Sequence, residues 1–164
     1  MKAKGTFLFL LAAVCLLCCA CDFIKDEKEI MKNWAENNDG KWRDALEKLQ
    51  ADLTIIDGGM SRETYPEMYI SARIDQIYCS QQDKRITIYF PDSYGYVEKK
   101  LCYSISDTGL LDFSPYINQD GIWKTKSQTD TSWRWEGGGI DGTGYVFIEH
   151  LFDRWYYVET FYPT

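Results

Sequence analysis

The chain contains a single histidine and, after its first twenty residues, no long apolar run. A zinc site normally takes several His or Cys ligands, and His150 has no ligands at a suitable spacing around it. A Ser-His-Asp hydrolase would also have to use His150, and no nucleophile-elbow sequence is present to partner it. The lack of another apolar run excludes a second membrane-spanning helix. These absences favour a domain without metal, cofactor or catalytic triad.

Basic residues are outnumbered as well. The sequence has 25 acidic and 18 basic residues and a formal net charge of −7. Nucleic-acid binding depends on clustered Lys and Arg against phosphates, so an acidic domain is a poor nucleic-acid binder. An anionic membrane surface would repel the domain too, so attachment to a membrane would have to come from a lipid.

What the sequence does contain is an N-terminal segment ordered like an export signal. Lys2 and Lys4 precede the apolar run 7–19, and Ala20 and Cys21 stand directly before the charged chain. A positive end, a short apolar segment and a small residue are typical of a secretory signal peptide. With a cysteine after the small residue, the segment resembles a bacterial lipoprotein signal, whose cysteine is lipidated and becomes the new N-terminus.

The resemblance implies a signal peptide over residues 1–20, a lipidated polar tether over 21–29 and a single domain over 30–164. It places the protein in a bacterial cell envelope, anchored to a membrane by acyl chains such as palmitate, with the domain outside the cytoplasm. Several acyl chains would give stable anchoring, whereas one would not. Removal of two lysines with the signal changes the net charge from −7 to −9.

Three other interpretations of this segment stay open. The lipoprotein pattern has an apolar residue, usually Leu, three positions before the cysteine, where this chain has Cys18. A plain secretory signal could be cut nearby with no lipid added. The segment could remain as an uncleaved anchor, although its apolar run is short against the ~20 residues that span a bilayer. The cysteines of this segment could also serve only as small apolar residues of the signal.

Residues 26–52 show the periodicity of an amphipathic helix. Apolar residues recur three and four positions apart, which predicts one buried stripe; they include Ile30, Trp34, Trp42, Leu46, Leu49 and Leu53. The turn-forming run 37–40, Asn-Asn-Asp-Gly, interrupts the pattern. We therefore expect two short helices or one broken helix.

The remainder reads as short strands with turn residues between them. Alternating apolar and polar side chains predict strands over 68–78, 85–90, 96–105, 122–124, 131–136, 145–152 and 155–162. No helical stretch separates these strands, so parallel βαβ units are not expected. The predicted fold class is α+β: a short N-terminal helical segment, then an antiparallel, mainly β sheet closing into a barrel or sandwich.

Two short segments match enzyme motifs in their residues but not in their structural context. Gly137, Gly139 and Gly142 have the spacing of the dinucleotide fingerprint, but that fingerprint must open a helix and an aromatic strand follows here. Asp107-Thr108-Gly109 resembles the triplet of aspartic proteases, which need a second lobe that this chain lacks. A turn is the better interpretation of both.

Cys79 and Cys102 are the two cysteines outside the signal. In an oxidising compartment an even pair suggests a disulfide. If the strands around them form a simple meander, however, the middle strand separates the two by about 10 Å, beyond the roughly 7 Å that a disulfide spans. A disulfide would thus require a different strand order, and both outcomes stay open.

Four tryptophans, Trp123, Trp133, Trp135 and Trp155, flank the glycine-rich segment 137–144. Trp133 and Trp135 lie two apart in a predicted strand and should share one face. The four are either core residues or an exposed ligand face.

Three functional hypotheses follow. The first is a non-enzymatic envelope lipoprotein that binds a protein partner, as an accessory subunit or inhibitor. The second is a glycan-binding lipoprotein that uses the C-terminal aromatic residues. The third is a small carboxylate-dependent hydrolase, which the sequence favours least.

We expect the mature protein to begin at a lipidated Cys21. Mass spectrometry of the N-terminal peptide should find diacylglycerol on this residue, and Cys21→Ser should release the protein or block processing. An unmodified N-terminus at another residue would contradict the prediction.

Overall fold

The computed structural model describes residues 26–91, 97–117, 123–139 and 142–163. The chain divides into two units, residues 1–30 and 31–164. In the first unit, Asp26 caps the start of a helix by accepting a hydrogen bond from the Lys28 amide at 3.1 Å. The expected signal peptide and Cys21 lie outside the described residues. Among the described residues, no helix is both long and apolar enough to cross a membrane.

Helix α1, Glu27–Leu53, runs without a break for 27 residues. The helical prediction is confirmed, but the expected interruption at 37–40 is wrong. Asn37 Nδ2 donates to the Asn33 carbonyl at 2.7 Å, and Asn38 Nδ2 donates to the Trp34 carbonyl at 2.8 Å. Each amide thus bonds to a carbonyl one turn back, so these residues stay within the helix. The buried positions recur at helical spacing and form one stripe: Met31, Trp34, Ala35, Trp42, Ala45, Leu49 and Leu53.

The described residues form eight strands in one antiparallel sheet. The strands are β1 Gly58–Met60, β2 Gln76–Ser80, β3 Arg85–Tyr89, β4 Val97–Ser104, β5 Lys124–Gln128, β6 Ser132–Gly138, β7 Gly144–Phe152 and β8 Trp155–Phe161. Their spatial order is β1-β2-β3-β4-β8-β7-β6-β5. The α+β class is confirmed.

The sheet is open, so the expectation of a barrel is wrong, and the described strands make one sheet instead of the two of a sandwich. Two meanders, β1–β4 and β5–β8, are joined where β8 pairs with β4. This arrangement leaves β1 and β5 as the two edges. β1 has only three residues, and helix α1 rather than a second sheet covers one face.

Alternation along the strands gives the sheet two buried faces. Leu101, Trp155 and Tyr157 belong to the core that contains the stripe of α1, which we call the helix face. Cys102 and Tyr156 belong to a second core on the opposite face, together with residues of the segment 111–117. That segment includes the short helix α2, Ser114–Ile117.

Trp155 forms the centre of the helix face. Its ring centroid lies 5.9 Å from that of Trp34, 5.6 Å from Trp42 and 5.0 Å from Tyr103. Each well-oriented aromatic pair contributes about 0.5–1.5 kcal/mol beyond area burial. The indole nitrogen donates to Asp39 Oδ1 at 2.8 Å. Asp39, one of the four residues expected to break the helix, therefore supplies the hydrogen bond that the buried indole needs.

The predicted strand over 68–78 is mostly wrong. A 3-10 turn, Pro66–Met68, comes first, and strand β2 begins only at Gln76. Tyr69 donates its hydroxyl to the Met60 carbonyl at 2.5 Å, and Arg62 donates to the Ile74 carbonyl at 2.7 Å. These bonds hold an irregular connection whose residues alternate in polarity without forming a ladder. Strand β1, with two glycines in three residues, was not predicted.

Cys79 and Cys102 are both free and buried. Cys79 in β2 pairs with Ile86, and Cys102 in β4 pairs with Thr87, so strand β3 lies between the cysteines. Ile86 and Thr87 are neighbours in β3 and point to opposite faces of the sheet. The two thiols therefore lie on different faces as well as two strands apart, and burial raises the pKa of Cys79.

Asp39→Ala should lower the free energy of unfolding by about 1–3 kcal/mol, because it leaves the buried Trp155 N–H without a partner. Asp44→Ala is the matched control: Asp44 is exposed on the same helix and gains the same helix propensity on substitution. Denaturant unfolding followed by circular dichroism measures both. Equal stabilities for the two variants would contradict the assignment.

Candidate functional site

The structure separates the four tryptophans of the expected ligand face. Trp155 is fully buried on the helix face, whereas Trp135, 8% exposed, belongs to the opposite core. Trp123 and Trp133 are half-buried and pack against that opposite core. Phe113 lies over both tryptophans of β6, with centroid distances of 4.7 Å to Trp133 and 5.8 Å to Trp135. Three of the four thus share a face, and packing accounts for most of their surface.

The glycine-rich segment has a structural role. A methyl group on Gly138 would lie 2.0 Å from the Trp123 ring, so only glycine lets the indole lie on strand β6. Gly139 and Gly142 have positive φ values of 82° and 74° near the β6–β7 connection. The motif therefore builds a hairpin and an aromatic contact, in keeping with the turn interpretation.

The other motif residues also serve turns. His150 Nε2 donates to the Asp153 carbonyl at 2.9 Å, and its ring stacks on Tyr156 at 4.8 Å. This contact supports the two-residue turn Asp153-Arg154, which separates the predicted strands 145–152 and 155–162 and has φ 43° at Asp153. Gly109, with φ 73°, ends the Asp-Thr-Gly triplet against the Arg154 side chain. Across the described ranges, no group of three or more His, Cys, Asp or Glu is placed to hold a metal.

Strand β5 is an exposed strand at one edge of the sheet. Its five residues, Lys124–Gln128, are exposed, and it pairs on one side with β6 at the end of the strand order. Residue 122 of the predicted strand 122–124 lies outside the described residues, and the strand that the structure describes begins at Lys124 and extends to Gln128. An edge strand presents unpaired N–H and C=O groups, which proteins commonly protect with lysines and bulges. β5 has Lys124, Lys126 and a register shift between Thr125 and Ser127.

An ionic network begins at this edge. Lys126 Nζ lies 3.5 Å from Glu136 Oε2, and Arg134 Nε donates to Glu136 Oε1 at 2.9 Å. The hydrogen bond from Arg134, with the charge of Lys126, lowers the pKa of Glu136. We call Lys124, Lys126 and Arg134 the basic edge. Its three cations surround the single carboxylate of Glu136, which leaves a local excess of positive charge on an acidic protein.

The network continues across the helix-face side of β7 and β8. The Arg134 guanidinium lies 4.2 Å from the centroid of the Tyr145 ring. Tyr145 donates its hydroxyl to Glu159 Oε1 at 2.5 Å, and Tyr157 donates to Glu159 Oε2 at 2.8 Å. Burial, and then Glu159, raises the pKa of Tyr145 to about 12. The carboxylates of Glu136 and Glu159 are thus both engaged in hydrogen bonds.

Sequence reasoning missed this network. Alternation in 131–136 places Arg134 on the face opposite Trp133 and Trp135, which the structure bears out. The sequence pattern does not show which strand lies beside β6. The basic edge forms because β5 extends to Gln128 and pairs with β6.

Comparison with known proteins finds no matching family model, no matching curated protein and no matching solved structure.

Trp135→Ala should lower the free energy of unfolding by about 3–5 kcal/mol, since it removes a large buried ring from the second core. Trp133→Ala, at a half-buried position two residues earlier in the same strand, should lower the free energy of unfolding by less. Denaturant unfolding measures both. A loss at Trp135 no larger than that at Trp133 would mean that the face is not core.

Proposed function

We propose that this protein is an exported envelope lipoprotein whose domain binds a protein partner and does not catalyse a reaction. Two independent features support the proposal. The first is the resemblance of residues 1–21 to a lipoprotein signal, which would anchor the chain through Cys21. The second is the exposed edge strand β5, which offers a means of binding another chain.

The full exposure of β5 along the edge of the sheet is the observation that carries the proposal. An extended segment of a partner can add to such an edge as a further strand. Backbone hydrogen bonds then provide affinity, and side chains at alternate positions provide specificity. The lysines and the bulge would disfavour pairing of β5 with a second copy of itself, because like charges would meet across the new ladder.

The charge of the basic edge specifies the partner. Lys124 and Lys126, which lie on β5 itself, would attract an extended segment that carries acidic side chains, and Arg134 on β6 adds to the positive charge. Attraction of this kind guides association and orients the incoming strand, and it weakens as salt rises. The remainder of the domain, with its net negative charge, would repel an acidic segment elsewhere, so binding would concentrate at β5.

The test compares two synthetic eight-residue peptides on the Cys21→Ser protein. One alternates Glu with Thr and the other alternates Lys with Thr. We expect the acidic peptide to slow amide hydrogen exchange in β5, and the basic peptide to leave it unchanged. Lys126→Glu should weaken acidic-peptide binding about fivefold, the upper range for an exposed ion pair.

Lys48→Glu is the matched control, because Lys48 is an exposed lysine on α1, away from the sheet edge. Equal binding of both peptides, or equal losses for both lysine variants, would contradict the proposal. A cell-wall glycan fragment that slows exchange around Trp133 and leaves β5 unchanged would favour the glycan-binding hypothesis instead.

A further inference from the structure

A second site lies on the surface far from β5 in the sheet order. A groove of about 380 Å³ runs between α1 and the end of β4, and its lining includes Leu46, Glu47 and Gln50 from the helix. Tyr103, Ile105 and Arg154 line the opposite wall. Ligand sites are typically concave, of about 300–1,000 Å³, with a few polar groups among apolar ones. The groove meets this description in size, but its lining is more polar than is typical, since it includes Arg43, Glu47, Gln50 and Arg154.

The sheet wall presents hydrogen-bond donors that the fold does not use. Tyr103 is only 4% exposed, and its ring packs on Trp155, yet its hydroxyl forms no hydrogen bond within the described part of the chain. Arg154 Nη1 donates to the carbonyls of Ser104 at 3.2 Å and Ser106 at 2.6 Å. These two bonds fix the guanidinium in place and leave its Nε and Nη2 groups available to a ligand.

The helix wall carries one cation, which is already paired, and one carboxylate, which is not. Arg43, which also lines the groove, is paired with Asp39 at 2.5 Å and lies 3.7 Å from Asp153. Glu47 has no ion-pair partner among the residues that the structure describes. A cationic donor on the sheet wall therefore faces an uncompensated carboxylate on the helix wall, with Leu46 and Ile105 as apolar surface.

We propose that this groove binds a small zwitterion with an apolar side chain, namely a free amino acid or dipeptide. The ligand carboxylate accepts hydrogen bonds from Arg154 and the Tyr103 hydroxyl. The ligand ammonium group pairs with Glu47, and its side chain contacts Leu46 and Ile105. A simple anion would be repelled by Glu47 and a simple cation by Arg154, so the mixed charge selects a ligand that carries both.

The test titrates the Cys21→Ser protein with L-leucine, N-acetyl-L-leucine and L-leucinamide. The two analogues lack the ammonium and carboxylate charges respectively. Two-dimensional NMR should show saturable shifts of the Gln50 and Ile105 amides with leucine at millimolar concentration. Each analogue should bind about fivefold more weakly, as expected for loss of one partly screened ion pair.

Glu47→Gln should abolish the difference in affinity between leucine and N-acetyl-leucine. Tyr103→Phe should weaken the binding of leucine while keeping the aromatic packing of the ring. Asp44→Asn, which removes an exposed carboxylate three residues from Glu47, is the control and should bind as the unmodified protein does. The proposal is overturned if leucine gives no saturable shifts, if the analogues bind as well as leucine, or if Glu47→Gln leaves their order unchanged.

Discussion

The pairing of β4 with β8 is the interaction on which the rest of the structure depends. Seven residue pairs join these strands, from Val97 with Phe161 to Tyr103 with Trp155. This ladder unites the two meanders into one sheet and places Trp155 beside Tyr103 under the helix. Every strand beyond it on the C-terminal side, including β5, is positioned through β8. A contact between segments so distant in sequence must overcome a large loop-closure entropy before it stabilises the fold.

The helix completes this arrangement by covering one face of the joined sheet. Trp34 and Trp42 pack on Trp155, and Asp39 accepts the hydrogen bond of its indole nitrogen. Burying an indole without a partner for its N–H is costly, so this bond favours the position in which Asp39 lies beside Trp155. The opposite face is covered by the segment 111–117.

Local pattern was sufficient for some elements and not for others. The β7–β8 hairpin was predicted because strong alternation flanks a two-residue turn, and both signals are local. The break at 37–40 was expected from turn propensity, but amide side chains bonded one turn back kept the helix intact. Residues 68–78 also alternate in polarity, but most of them belong to a connection held by Tyr69 and Arg62.

The strand order could not be predicted from the local sequence pattern, because periodicity gives no information about which strands pair. The expected barrel needed β1 and β5 to meet, and the return of β8 to β4 instead left both at the edges. Neither candidate site could be predicted for the same reason: each depends on which elements lie side by side. The basic edge depends on β5 beside β6, and the groove depends on α1 beside the end of β4.

We expect β4 and β8 to form the most stable part of the sheet and β5 to remain an open edge. Residue-resolved amide hydrogen exchange of the isolated protein tests this claim most directly, since exchange reports local opening free energies. The slowest amides should lie in β4 and β8 and the outer amides of β5 should exchange rapidly. Protection of every β5 amide to the level of β4 would show that the edge is already covered and would contradict the account.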